Sequence, residues 1–288
     1  MSVSKSETTA LRYKQAASRF LKFLEIKRID IYHASAGLLD HYVEWLVNDQ
    51  KLKPSTIHVL VVGAQQYLKW RIRHGDNIRE MFKPDIPKLP HITPTILSSD
   101  ALDLYLRVVE DWHEPVRTAL LVLAMTGIRS SELVGLRLGD IRVFRDGDLG
   151  TWIALDVMGK GRKQRIIPAL QSVNPILHDY LKGWRSERDG QWLFPGQKDK
   201  HVTTRTIRNN LDQVRQYMGI EKLTAHMLRR TYLTLLDKYG VSAFQIAQIA
   251  GHARPDGMAE LQTTKDHYIH QPLGELMRSL HGIDLSVI

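Results

Sequence analysis

Thr126-Gly127-Ile128-Arg129-Ser130-Ser131-Glu132-Leu133 ends one apolar helical pattern and starts another. Upstream, Pro115 at an N1-like position opens an apolar run from Val116 to about Thr126. Gly127 interrupts it, because glycine is a poor helix interior and a good helix end. Downstream, Ser130-Ser-Glu-Leu-Val-Gly-Leu136 begins a further turn pattern. The result is one arginine, Arg129, set at a helix start behind a flexible glycine. Alone, such an arginine is ordinarily half of a surface ion pair, so its meaning depends on the rest of the chain.

Working towards the amino terminus, Ser98 or Ser99 can cap a helix from Asp100 to Glu110. Before it runs Lys83-Pro-Asp-Ile-Pro-Lys-Leu-Pro-His-Ile-Thr-Pro94, whose prolines at 84, 87, 90 and 94 forbid a continuous helix and favour an extended strap. Residues 84–95 are read as an interdomain linker, with a long loop inside one domain as the alternative. Residues 1–83 read as helices. Thr9 to Ile26 places Leu11, Ala16, Phe20, Phe23 and Leu24 near one face, and about Ser35 to Asn48 carries Leu38, Leu39, Tyr42, Val43 and Leu46 at helical spacing. Ser55, after Pro54, can cap a third helix reaching about His74. That helix ends in Lys69-Trp-Arg-Ile-Arg-His74, where Lys69, Arg71 and Arg73 form either a DNA-phosphate contact or a solvated face.

Working towards the carboxyl terminus, Thr151–Val157 and Gln164–Ala169 have strand character around Met158-Gly-Lys-Gly-Arg-Lys163, predicting a β-hairpin with a basic tip of Lys160, Arg162 and Lys163. The tip lacks the spacing of a phosphate-binding P-loop. From Thr203 the pattern is helical. It contains His226-Met-Leu-Arg229 followed by Arg230, then Ala250-Gly-His252, then Tyr268 in Thr263-Thr-Lys-Asp-His-Tyr268. Leu273, Leu276, Met277 and Leu280 form one stripe on a short last helix. Each element alone has an ordinary structural explanation: a solvated turn, a histidine and an arginine on one helix face, a loop histidine, a surface tyrosine.

Composition narrows the classes. Of 288 residues, 43% are apolar and 25% charged, which suits a folded globular protein of two domains. Cysteine is absent, which excludes disulfide scaffolds, thiolate metal sites and cysteine nucleophiles, and fits a reducing cytoplasm. The polar start lacks the apolar core of a secretory signal, and no run approaches a membrane span. The net charge of +9 points to a polyanionic partner, nucleic acid before membrane. The excess is concentrated early: residues 1–83 hold 14 Lys+Arg against 8 Asp+Glu.

The order Arg, Lys, His-x-x-Arg, Gly-His and a late Tyr resembles the tyrosine recombinase (phage integrase) family across the whole chain. Thr-Gly-Ile-Arg-Ser-Ser-Glu-Leu is close to that family's Thr-Gly-Leu-Arg-x-Ser-Glu-Leu, and the proline strap is similar to the interdomain segment of Xer-type members. The resemblance implies a mostly α fold with a small β-hairpin or sheet. It comprises an all-helical core-binding (SAM-like) domain over 1–83, the linker, and an α+β catalytic domain over 96–288, closing as a C-shaped clamp on DNA. It implies Arg129, Lys160, His226, Arg229, His252 and Tyr268 as catalytic residues, with Tyr268 the nucleophile that forms a 3′-phosphotyrosyl link, and Lys69, Arg71, Arg73, Arg162, Lys163 and Arg230 as DNA contacts. No cofactor or metal is expected. The implied partner is a double-stranded site with inverted repeats, bound by a homo-tetramer joined through the C-terminal helix, with accessory proteins as a further option.

The chemistry of these residue types agrees with that role. Two guanidiniums neutralise charge developing on a phosphodiester without changing protonation state. A phenol, with a pKa of about 10, needs a base or nearby cations. His226 suits acid/base work, Lys160 can protonate the leaving 5′-oxygen, and His252 can hold a phosphate oxygen. Glu132 is read as orienting the helix of Arg129, and Asp140 as structural. The sequence departs from the family at Ala250, where leucine is usual, at Arg230, where histidine is frequent, and in a longer stretch from Ala253 to His267. The reading adopted has Tyr268 attack beside its own arginines; a neighbour's site is the alternative. A DNA-binding protein that does not cut, and a topoisomerase, are the competing readings. Because no arm-binding module precedes the first helices, a simple resolvase or Xer-like enzyme is expected over a phage-type integrase.

Overall fold

The computed structural model describes residues 7–89, 95–148, 150–159, 164–197, 200–251 and 273–283. The chain divides into two compact units, Met1–Thr93 and Pro94–Ile288, and the division falls inside the proline-rich strap. The fold is mostly helical with one small antiparallel sheet.

In the first unit, α1 (Glu7–Lys27), α2 (Leu38–Glu44, continued by a π-helical turn, Trp45–Asp49) and α3 (Pro54–Arg73) enclose a core rich in aromatic rings. Phe20 meets Tyr42 edge-on at 5.0 Å, and Phe23 lies 5.5 Å from Trp45 between ring centroids. The predicted faces are buried except at Leu11, which is 55% exposed. Ser55 does not cap α3. Pro54 itself takes the first helical position behind an extended Lys53, where its missing N–H costs nothing. Residues 84–89 have no regular structure. Asp85 N–H donates to Asp40 Oδ1 and Ile86 packs on the helical core, so this half of the strap is laid against the first unit.

The second unit is built around α5 (Val116–Thr126), buried from Thr118 to Thr126, as befits a helix apolar on every side. Around it pack α4 (Ser99–Glu110, capped by Ser98), α7 (Val173–Lys182), α8 (Thr204–Met218) and α9 (Ala225–Lys238). The short α6 (Ser130–Leu133) follows α5 directly, and α10 (Ala243–Ala250) follows α9. The hairpin strands are β2 (Gly150–Met158) and β3 (Gln164–Pro168), paired from Ala154↔Pro168 to Met158↔Gln164. A third strand, β1 (Ile141–Asp146), pairs with β2 from Ile141↔Leu155 to Asp146↔Gly150 and was not foreseen. Its sequence, Ile-Arg-Val-Phe-Arg-Asp, is half charged, and Val143 is 60% exposed, so the strand has little of the apolar alternation that marks a core strand.

The apolar stripe of the last helix, α11 (Leu273–Leu280), has two readings, packing on its own domain or docking on a neighbouring protomer, and in the single chain it packs on its own unit. Leu276, Met277 and Leu280, with Ile283, are buried in the core of their own unit. Gln245 Nε2 donates to Ser279 Oγ at 2.8 Å, fastening α11 to α10. Among the described residues, no helix is long and apolar enough to cross a membrane. Leu280→Ala should therefore destabilise the single chain by about 2–5 kcal/mol. Denaturant unfolding at concentrations low enough to exclude assembly checks this; an unchanged midpoint would return the stripe to intermolecular duty.

Candidate active site

Gly127 stops α5 with a left-handed backbone, φ 62°. A Cβ there would meet the Tyr232 ring at 2.5 Å, so both conformation and space demand glycine. The turn drops Ile128 into the core and brings Arg129 to the N-cap of α6. Glu132, one turn on, reaches back: its Oε2 accepts from Arg129 N–H at 3.1 Å, and its Oε1 from Arg129 Nη1 at 2.8 Å. Half of a capping box thus also orients the guanidinium.

The same carboxylate has a second cation. Arg165, on β3, places Nη1 on Glu132 Oε1 at 2.9 Å and Nη2 on Oε2 at 2.7 Å, a two-pronged pair with both side chains largely buried. Burial alone would raise the Glu132 pKa. The bonds from Arg165, then those from the Arg129 backbone and side chain, outweigh burial and hold it below the ordinary carboxylate value.

Arg229 projects from α9 and is 3% exposed. Its Nη1 donates to Gly127 O at 2.6 Å and its Nη2 to Ala250 O. Burial first, then repulsion from Arg129 and Arg165, brings its pKa down to about 10, which leaves it charged at neutral pH. The end of α10 is shared by all three arginines. Ile249 O accepts from Arg165 Nε at 3.0 Å, Ala250 O from Arg229, and Gly251 O from Arg129 Nη2 at 3.4 Å. These carbonyls belong to a helix C-terminus, where orphan acceptors and a partial negative charge favour cations. Three guanidiniums thus face one carboxylate, and the Arg129 side chain stays 37% exposed. The cluster is a cation pocket suited to an anion.

His226 lies exposed in the first turn of α9, three residues before Arg229. Arg230 is half-buried on the same helix. Asp140 Oδ2 accepts from Arg137 N–H at 2.8 Å, a structural duty as expected. In the first unit Lys69 and Arg73 are exposed, whereas Arg71 is engaged by Asp76 and by the hydroxyls of Tyr67 and Tyr32. Lys160, Arg162, Lys163, His252 and Tyr268 lie outside the described residues. Among the described residues, no group of three or more His, Asp or Glu is arranged to hold a metal ion. Sequence reasoning missed Arg165; its only signal was a cation near the end of a predicted hairpin.

Two outcomes follow from this geometry. Gly127→Ala should cost about 1–2 kcal/mol through the left-handed backbone alone, and more through the Tyr232 clash, lowering the thermal midpoint. Because the Glu132 pKa is depressed on folding, its contribution to stability is complete above the ordinary carboxylate range and is lost as pH falls through the folded value. The stability gap between wild type and Glu132→Gln should accordingly shrink on acidification, as measured by denaturant midpoints between neutral pH and about pH 3.

Residues 97–272 match the phage integrase family. The tyrosine recombinase XerD of Pseudomonas putida is 27% identical over 258 residues, covering 86% of this chain and 84% of that protein. XerD of Vibrio cholerae is 27% identical over 291 residues, covering 96% and 90%. In fold, the chain is similar to the XerH site-specific recombinase seen bound to a palindromic difH substrate after cleavage. The TM-score is 0.69 at 19% identity, over 90% of this chain and 79% of that one. The matched residues run from the start of α4 past α10 and include every member of the arginine cluster. The chain therefore belongs to the phage integrase family, the tyrosine recombinases.

Proposed function

We propose that this protein is a site-specific DNA recombinase that cuts and rejoins strands through a 3′-phosphotyrosyl intermediate. The observation that carries the reading is the placement of Arg129 and Arg229 on successive carbonyls at the end of α10, charged and only partly neutralised, directly before His252 in the chain. A scissile phosphate seated there meets forked donors that need no proton transfer to do their work.

In this proposal the Tyr268 oxygen attacks phosphorus, the bond to the 5′-oxygen breaks, and the phenolic proton passes to His226. Lys160 protonates the departing 5′-oxygen, and His252 holds a non-bridging oxygen. The new ester keeps the energy of the phosphodiester, so a 5′-hydroxyl from another strand can reverse the step without nucleotide hydrolysis. Residues 1–83 act as the core-binding domain and residues 96–288 as the catalytic domain, joined by the strap. Lys69, Arg73, Arg162, Lys163 and Arg230 supply phosphate contacts. Arg71 has the weaker claim, since its fork is already bonded within the protein.

Exchange between two duplexes breaks four strands, and one nucleophile per chain then requires four protomers on two sites. Inverted repeats would match the two-fold relation of paired protomers. Contact through α11 would use its exposed Glu275 and Arg278 side, since the apolar side is occupied within its own unit.

Trapping tests the reading. Incubation with duplex fragments from the neighbourhood of its own gene, followed by denaturation, should leave a protein–DNA adduct that maps to Tyr268. Tyr268→Phe should bind DNA and form no adduct; an adduct persisting in that variant would refute the assignment. Binding affinity should also fall steeply as salt rises.

A further inference from the structure

Arg165 is the one member of the cation cluster to which the proposed chemistry gives no step. It is mostly buried and makes three short bonds, two to Glu132 and one to Ile249 O. These bonds tie β3 to α6 and to the end of α10. Two of the residues assigned to proton transfer and phosphate binding adjoin these same elements in the chain: Lys160 stands five positions before Arg165, and His252 directly follows Gly251. Gly251 has φ 58°, and a Cβ on it would come within 3.0 Å of Arg165 Cδ, Cζ and Nε. The Arg165 side chain therefore packs directly against Gly251, the residue before His252 in the chain.

Arg165 also competes for Glu132. Both carboxylate oxygens accept from Arg165 and both accept from Arg129. A carboxylate shared by two guanidiniums neutralises each less than it would neutralise one alone. With Arg165 removed, Glu132 would belong wholly to Arg129, and the positive charge offered to a phosphate would fall. The repulsion Arg165 exerts on Arg229 would vanish as well.

We infer that Arg165 is a positioning residue for strand cleavage: by dividing Glu132 with Arg129 and gripping Ile249, it keeps the Arg129 guanidinium available to the scissile phosphate. This rests on the recombinase reading of the same site.

Single-turnover adduct formation on a nicked suicide duplex tests it, with wild type and Tyr268→Phe alongside and DNA affinity and thermal midpoint measured in parallel. Arg165→Met should slow adduct formation by about 10- to 100-fold, the range associated with a misplaced catalytic group, while DNA affinity stays nearly unchanged. Adding Glu132→Gln should then speed the Arg165→Met variant, because the carboxylate that captured Arg129 has lost its charge. A purely structural role predicts the opposite, since the second change removes further bonds. Should Arg165→Met fail to fold, Arg165→Lys carries the test: it keeps the charge but not the fork, and its rate should fall between those expected for wild type and Arg165→Met. A wild-type rate in either variant, or a double variant no faster than Arg165→Met, overturns the inference. Absence of any adduct with wild type would instead strike at the recombinase reading itself.

Discussion

Three successive carbonyls at the end of one short helix organise the arginine cluster of the second unit. An α-helix leaves its last carbonyls without partners, and in a buried setting they must be satisfied. Here Ile249, Ala250 and Gly251 give them to Arg165, Arg229 and Arg129, which come from β3, α9 and the N-cap of α6. One helix terminus thus brings together side chains from parts of the chain as much as 100 residues apart. The left-handed Gly251 ends α10 at the point where the carbonyls face the arginines.

Placing three guanidiniums together is unfavourable unless something offsets their repulsion, and besides the carbonyls of α10 the buried carboxylate of Glu132 does so. Glu132 is the right length and in the right place because it is the N3 residue of the helix that Arg129 caps. Local helix chemistry and the electrostatics of the pocket therefore use the same atoms. The remaining positive charge is what makes the pocket a site. Arg229 bears the cost most visibly, its pKa drawn down to about 10 by burial and by its neighbours, yet still far enough above neutrality to remain a cation.

Much of this was legible in the sequence. The helices of the first unit, the hairpin, the break at Gly127 and the part Glu132 plays in the helix of Arg129 all rest on interactions between residues close in the chain. Spacing and capping rules report such interactions directly. What sequence could not give depends on distant contacts. Arg165 looks like any basic residue beside a hairpin until Glu132 and Ile249 are found on either side of it. Strand β1 is specified by pairing with β2 more than by its own apolar pattern. The stripe on α11 reads as a docking face before a core face, because spacing does not say what covers an apolar face; in the single chain Leu276, Met277 and Leu280 are buried in their own unit. Arg71, one of three cations on a single helix end, was indistinguishable from Lys69 and Arg73 until Asp76 and two tyrosines were found around it.

The arrangement divides the labour of a phosphoryl transfer. Arginines cannot act as proton donors near neutral pH, so they suit the fixed part of the task, holding and neutralising the anion. They are accordingly built into helix ends and strand bonds. The residues proposed to change protonation state, a lysine, histidines and a tyrosine, stand at other positions in the chain. His226 is exposed on the first turn of α9, and Lys160 and His252 sit a few residues or fewer from Arg165 and Gly251. A frame that fixes the guanidiniums in this way can accept an anion in one geometry without any change of its own protonation. In this fold the frame is held together by Glu132 and the carbonyls of α10, neither of which needs to touch the substrate.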